Sequence, residues 1–167
     1  TYIKIKKTLA IKCQVIQLIV DEDCPNTYIQ LYQKNERIIK KDGTRHPNPA
    51  QCFILVVNSD YKYINSINEK TSHVAVNVDL KPGKYYIFCD VDYRIETADH
   101  NTYGFTVTFY SKTPLKNLTN VTEEIDVIKG LETCMYNYCK ENFKPINHKS
   151  GVQIYQSENF VKKYLLF

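Results

Sequence analysis

Six cysteines and four histidines are the side chains with most scope for chemistry in this sequence. A cysteine nucleophile needs an exposed thiolate next to a base, and thiol peptidases hold theirs in a glycine-rich turn. No cysteine here lies in such a turn, and Cys89 falls between Phe88 and Asp90 in an apolar, strand-like run. We therefore predict buried thiols that do no chemistry, and we assign no catalytic residue. The set is Cys13, Cys24, Cys52, Cys89, Cys134 and Cys139.

The histidines have no spacing that pairs them with a nucleophile or a base. His46 and His100 lie in polar segments, His73 begins a strand pattern, and His148 follows a helical pattern. A solvated surface position is the simplest prediction for each of them.

Cysteine and acidic side chains are the possible ligands for zinc and for calcium in this sequence. Cys134 and Cys139 are five residues apart on a predicted helix, so they point to different faces and do not form the close pair of a zinc site. Calcium prefers about six to eight oxygen ligands, which β-sandwiches gather from loops at one end. The weak calcium candidates are Asp21, Glu22, Asp23 and Asp99; no other cofactor is expected, since no glycine-rich phosphate loop is present.

The composition is that of an ordinary globular domain, with 43% hydrophobic and 24% charged residues among 167. Fourteen tyrosines and seven phenylalanines, without tryptophan, favour strands over bundled helices. The net charge is +4, but the basic residues are spread along the chain. The densest group, Lys4, Lys6 and Lys7, alternates with apolar residues and predicts a solvated strand face, so no nucleic-acid partner is expected.

Cysteines within apolar runs, together with the lack of a signal peptide or a transmembrane run in this sequence, favour the reducing cytosol. Two adjacent glycosylation sequons, Asn117-Leu118-Thr119 and Asn120-Val121-Thr122, are then best explained by chance. The chain opens on Thr1 and stops within an apolar run, so we expect a piece of a longer protein.

The stretch Asp79–Arg94 organises the predicted fold. Pro82 and Gly83 suit a type II turn, and the run from Lys84 to Tyr93 is rich in aromatic and β-branched residues. We expect a hairpin between this strand and the alternating run His73–Val78.

Further strands are predicted from alternating or continuous apolar runs, separated by turn signals. The segments Asn35–Pro49 and Ser59–Thr71 are predicted to be loops, and Asp21–Asn26 a break between strands. The pattern predicts an antiparallel β-sandwich over residues 1–113. Its remaining strands are Tyr2–Lys7, Leu9–Val20, Tyr28–Gln33, Gln51–Val57 and Tyr103–Ser111.

Residues 114–167 are predicted to form a helix plus β appendage packed on the sandwich. Thr122 is the expected N-cap of a helix that runs to Asn142 and that Pro145 terminates. Two short strands follow, at Val152–Tyr155 and Phe160–Phe167. The helix should bury the face that carries Ile125, Ile128, Leu131, Met135 and Tyr138.

The run LKPGKYYIFCDVDYR, the later YGFTVTFYSKTPL and the segment GLETCMYNYCKEN resemble the β-sandwich region of calpain-family cysteine proteases, most closely the calpain-like proteins of ciliates. The resemblance implies a C-terminal sandwich followed by a helix and short strands. The catalytic cysteine, histidine and asparagine of that family belong to a separate papain-like core, and no stretch here matches their motifs. No catalytic residue is therefore carried over.

On this basis we expect a non-catalytic interaction or regulatory module that docks a protease core, a partner protein or a ciliary or cytoskeletal assembly. Tyr61, Tyr63 and Tyr103 are candidate contacts, with a buried structural role as the alternative for each. Two other functions stay open. One is a calcium- or phospholipid-binding sandwich that recruits a protein to anionic membranes, and the other is an accessory domain of an active cysteine protease.

Overall fold

The computed structural model describes residues 2–6, 13–33, 50–92, 104–147 and 153–155, and side chains over 13–33, 50–92 and 104–144. The regular structure of this part of the chain consists of strands and one helix near its C-terminal end. The elements are β1 Tyr2–Lys6, β2 Gln14–Val20, β3 Cys24–Gln33, β4 Gln51–Asn58, β5 Tyr63–Lys70, β6 His73–Leu80, β7 Gly83–Asp92, β8 Gly104–Tyr110, β9 Asn117–Asn120, α1 Val127–Asn142, β10 Pro145–Asn147 and β11 Gln153–Tyr155.

Two antiparallel sheets carry the fold, which confirms the predicted mostly-β sandwich with a C-terminal helix. The four-stranded sheet has the order β1-β8-β3-β6, and the five-stranded sheet has the order β5-β4-β7-β2-β9. Strands β10 and β11 pair with each other as a separate antiparallel ribbon.

The main core lies between the two sheets and is built by strict alternation. Val74, Val76 and Val78 of β6 are at most 4% exposed, and the residues between them face the other way. Phe105, Val107 and Phe109 of β8 do the same. On the opposing sheet, every second residue of β7 enters this core: Tyr85, Ile87, Cys89 and Val91.

A second core lies on the outer face of the five-stranded sheet, beneath α1. Phe88 is fully buried there, with Leu55 and Val57 of β4 beside it and Cys134 of the helix above. Because β4 and β7 are covered on both faces, their sequences are nearly continuous in apolar residues. The molecule therefore has three layers, namely sheet, sheet and helix.

The predicted hairpin between β6 and β7 is wrong. β6 pairs with β3 in one sheet, whereas β7 pairs with β4 and β2 in the other. The Pro82-Gly83 turn crosses from sheet to sheet, so the two strands supply the core from opposite sides. Gly83 takes a φ of 155°, which side chains rarely adopt, and the Tyr85 hydroxyl closes the corner by bonding both the N–H and the carbonyl of Lys81.

Strand β5 replaces much of the loop predicted over Ser59–Thr71. It is an edge strand, and its ladder to β4 carries a register shift between Val56 and Val57. Ile64 and Ile67 both pack on the main core. They are three residues apart among asparagine and serine, so no period-two pattern marks the strand.

The break predicted at Asp21–Asn26 is shorter than expected, since β3 already begins at Cys24. The ladder between β3 and β6 shifts register between Cys24 and Thr27, and Asn26 has a φ of 52° within that irregularity. The predicted loop Asn35–Pro49 lies outside the described residues, as does the predicted strand Phe160–Phe167.

The expected N-cap Thr122 is wrong, because the helix begins at Val127. Asp126 caps it, accepting a hydrogen bond from the Lys129 N–H at 3.1 Å. Thr122 is buried instead, and its hydroxyl accepts a hydrogen bond from the Val15 N–H at 2.8 Å. The sequon segment before it contains β9, which pairs with β2. The division at residues 113 and 114 remains a prediction.

The predicted helix face is confirmed in part. Ile125 and Leu131 pack on the second core beside the buried Gly130 and Cys134, whereas Ile128 is 70% exposed and Met135 is 37% exposed. A Cβ added at Gly130 would lie 2.9 Å from Tyr61 Cε1 and 3.0 Å from Phe88 Cζ. Helix and sheet are thus in closest contact at Gly130, where the helix has no side chain. The helix ends at Asn142, three residues before Pro145, as the proline predicts.

Candidate interaction surface

The cysteine side chains are thiols, as predicted, and four of them are buried. Burial raises the pKa of Cys134 to about 11. Burial, with a smaller contribution from Asp90, raises the pKa of Cys52 to about 12. The pKa of the fully enclosed Cys89 is also raised well above its usual range, chiefly by burial. Burial therefore favours the protonated form of these three thiols at neutral pH, and a protonated thiol is a poor nucleophile.

The calcium candidates lie at an exposed corner of the sandwich. Asp21, Glu22 and Asp23 are all exposed, and Asp23 forms a 2.6 Å ion pair with Lys81. Within the described residues, no group of three or more histidine, cysteine or acidic side chains could hold a metal ion. Asp99 lies outside those residues, and calcium binding at Asp21, Glu22, Asp23 and Asp99 stays a prediction.

Two of the three tyrosines predicted to contact a partner pack beside the helix instead. The Tyr61 ring stacks on Tyr86 with 5.5 Å between centroids, and it packs in the core beneath α1. Tyr63 is 39% exposed and meets the edge of Tyr138 at 4.9 Å. Both side chains therefore contribute to helix packing, and Tyr103 lies outside the described residues.

A different group of tyrosines is exposed on the outer face of the four-stranded sheet. Tyr28, Tyr32 and Tyr110 are 45%, 39% and 52% exposed. They alternate with core residues on β3 and β8, so they share one face with the outward residues of β6. We call this set of nine residues the tyrosine face: Tyr28, Gln30, Tyr32, His73, Ala75, Asn77, Thr106, Thr108 and Tyr110.

The strand register arranges the tyrosine face as three rows of three. The first row is Tyr110, Tyr28 and Asn77, the middle row is Thr108, Gln30 and Ala75, and the last row is Thr106, Tyr32 and His73. None of the nine is lysine, arginine, aspartate or glutamate. Charged residues border this set, because the register of β1 with β8 places Lys4 opposite Thr106, and Asp79 is the next outward residue of β6 after Asn77.

The rings of the tyrosine face are held by contacts among themselves. Tyr32 stacks on His73, with centroids 5.6 Å apart and planes 22° apart. Its hydroxyl donates to Gln30 Oε1 at 2.5 Å and interacts with Tyr110. Burial, followed by the neighbouring Tyr110, raises the pKa of Tyr32. Tyr32 and Tyr110 therefore reach toward each other over the middle row, and they form an ordered aromatic platform.

The sequence did not predict this surface. His73 lies at the surface, as predicted, but the side of the strand Tyr28–Gln33 that faces outward was not assigned. His46, His100 and His148 lie outside the described residues. The platform depends on the strand order β8-β3-β6, which joins segments far apart in the sequence. Three alternating runs whose polar sides lack charge are the signal that could have indicated it.

No protein-family model, curated protein or solved structure matches the chain. The resemblance to the calpain family stays a prediction. No helix within the described residues is long and apolar enough to cross a membrane.

Proposed function

We propose that this chain is a non-catalytic interaction module that binds a partner protein through the tyrosine face. The observation that carries the proposal is the composition of that face, which has three exposed tyrosines and no charged residue. The cores of protein interfaces are enriched in tyrosine and depleted in lysine, aspartate and glutamate. Such residues supply large contact areas at a small cost in side-chain entropy.

Rigidity of the surface also supports binding. The tyrosine face lies on paired strands rather than on loops, and the Tyr32 ring stacks on His73, which lowers the conformational freedom that association would remove. The buried thiols support a role without catalysis, because their raised pKa values keep them protonated. Membership of a calpain-like protein and a ciliary or cytoskeletal location stay predictions from the resemblance.

The test is quantitative co-purification of tagged protein from the cells that make it. The variant Tyr28→Ala/Tyr110→Ala removes two rings of the tyrosine face. Tyr136→Ala removes a helix tyrosine that is 53% exposed, against 52% for Tyr110, and is the matched control. We expect a protein that forms a stoichiometric complex with the wild type and with Tyr136→Ala, and that is lost with the double variant.

The complex must then re-form from purified components. If every co-purifying protein is retained by the double variant, the tyrosine face is not the binding surface and the proposal fails.

A further inference from the structure

The linker between β8 and β9, residues 111–116, carries reactive groups that the proposed interaction module does not use. It contains no helix or strand, and it crosses from the four-stranded sheet to the five-stranded sheet. Leu115 packs in the main core and fixes the linker to the sandwich, whereas Lys112, Pro114 and Lys116 are exposed. The linker is therefore a surface segment with one buried anchor.

Two hydroxyl groups of the linker differ in what they contact. The Ser111 hydroxyl donates a hydrogen bond to the Thr113 carbonyl. The Thr113 side chain is half-buried, and its own hydroxyl forms no hydrogen bond to any residue that the structure describes. Among the described residues, no buried side-chain oxygen or nitrogen lacks a partner. The Thr113 hydroxyl is therefore in contact with solvent, where a second enzyme could reach it.

The residues after Thr113 form a pattern that suits one class of enzyme. Proline-directed protein kinases select a hydroxyl residue followed by proline, and many of them prefer a basic residue three positions after the hydroxyl. Thr113-Pro114-Leu115-Lys116 has this pattern, and no other serine or threonine of the sequence precedes a proline. Proline keeps the residue before it extended, as a kinase groove requires. A pocket with no acceptor for an N–H selects proline, because any other residue would bury an unpaired donor.

From the solvent-facing hydroxyl, the exposed proline and the exposed lysine together we infer that Thr113 is a phosphorylation site for a proline-directed protein kinase. The Thr113 hydroxyl oxygen attacks the γ-phosphorus of ATP, so a new P–O bond forms and the bond to the β–γ bridging oxygen breaks. ADP leaves, and the hydroxyl proton passes to the catalytic aspartate of the kinase. This inference concerns a modification and does not depend on the tyrosine face.

The product is a phosphothreonine with about −1.5 to −2 charges at neutral pH. Lys112 and Lys116 are exposed on either side of it along the chain, so both can form charge-assisted hydrogen bonds with the phosphate. The folded chain therefore accommodates the modified side chain at its surface.

The experiment incubates the folded 167-residue chain with ATP, Mg²⁺ and a purified kinase of the cyclin-dependent class, and mass spectrometry then locates the phosphate. We expect phosphate on Thr113 and none on the variant Thr113→Ala. Thr113→Ser keeps a hydroxyl and should be phosphorylated. Ser111→Ala removes the neighbouring hydroxyl and should still be phosphorylated on Thr113.

The rates of the variants test the contribution of each neighbour. Pro114→Ala should lower kcat/KM by about tenfold or more, the cost of burying one unpaired N–H. Lys116→Ala should lower it by about two- to fivefold, as one exposed ion pair would. Lys84→Ala removes an exposed lysine of β7 and should leave the rate unchanged. Amide spectra that keep their folded dispersion show that each variant is folded.

A synthetic peptide of residues 108–119 tests whether the fold presents the site. We expect phosphorylation of both the peptide and the folded chain. A folded chain that receives no phosphate on Thr113 would overturn the inference, whether or not the peptide is phosphorylated. Equal rates for the wild type and Pro114→Ala would overturn it as well. Neither result bears on binding through the tyrosine face, which the co-purification experiment tests separately.

Discussion

The outer faces of the two sheets differ in composition and in what covers them. The five-stranded sheet turns Phe88, Leu55 and Val57 outward, and α1 buries all three. The four-stranded sheet turns tyrosine, threonine and glutamine outward, and its rings remain 39–52% exposed. One face is thus part of the folding core, whereas the other is an ordered surface whose apolar area is not needed for folding. Substitutions on the first face should alter stability, and substitutions on the second should alter binding.

The largest effect is expected from removing the ring at the centre of the covered face. Phe88 is fully buried between the sheet and the helix, so Phe88→Ala should lower the free energy of unfolding by about 3–5 kcal/mol. Urea denaturation followed by circular dichroism measures this loss. Phe88→Leu keeps most of the volume and should cost less than about 2 kcal/mol. A loss below 1 kcal/mol for Phe88→Ala would mean that the helix does not bury this face.

The next effect concerns the close approach of helix and sheet at Gly130. An alanine in a helix is normally favoured over glycine by about 1 kcal/mol. Here the new Cβ would lie 2.9 Å from Tyr61 Cε1, and overpacking commonly costs about 1–3 kcal/mol. Because Tyr61 is held by Tyr86, we expect Gly130→Ala to give a net loss of about 1–2 kcal/mol in urea unfolding.

The matched control for Gly130→Ala is Glu132→Ala, on the exposed side of the same helix. It should change the free energy of unfolding by less than about 0.5 kcal/mol relative to the wild type. Stabilisation by Gly130→Ala would show that the helix lies farther from the sheet.

These two faces also show how far the sequence predicts the fold. The continuous run Gln51–Val57 predicts a strand covered on both faces, and the alternating run His73–Val78 predicts one with a single buried face; both are confirmed. The sheet to which each strand belongs could not be predicted, because a Pro-Gly turn permits either a hairpin or a crossing. The tyrosine face was missed for that reason, since it exists only once β8, β3 and β6 are adjacent.

Periodicity predicted the position of the helix only in part. Leu131 packs on the second core as expected, but Ile128 and Met135 are exposed, and Gly130 and Cys134 face the sheet instead. Close packing against Phe88 requires small residues, so shape prevails over hydrophobicity at this contact. Gly130 alone does not predict this contact, because only the structure shows that Tyr61 and Phe88 lie opposite it.

The covered face should also make stability depend on alkaline pH through Cys134. Its pKa is raised by burial from 9.0 to about 11, so below pH 9 both folded and unfolded chains hold the proton and the stability is unchanged. Between about pH 9 and 11 the unfolded thiol ionises first. The free energy of unfolding should then fall by up to about 1.4 kcal/mol per pH unit from this group.

Urea unfolding at pH 8, 9 and 10 measures the Cys134 effect as a slope. Cys134→Ala should be less stable than the wild type at pH 8, but its stability should fall less steeply above pH 9. Cys139→Ala, at a less buried position of the helix, is the control and should keep most of the wild-type slope. Identical slopes for all three proteins would mean that Cys134 is accessible to water.

The smallest effect is expected on the uncovered face, where neighbouring residues of β3 give an internal comparison. Tyr28 points outward and is 45% exposed, whereas Ile29 points into the main core and is fully buried. Tyr28→Ser removes a cross-strand contact with Tyr110 and should lower the free energy of unfolding by less than about 1 kcal/mol. Ile29→Ala should cost about 2–5 kcal/mol in the same urea experiment. If the two substitutions cost the same, the tyrosine face is covered within the folded chain, and it could not serve as a docking surface for a partner.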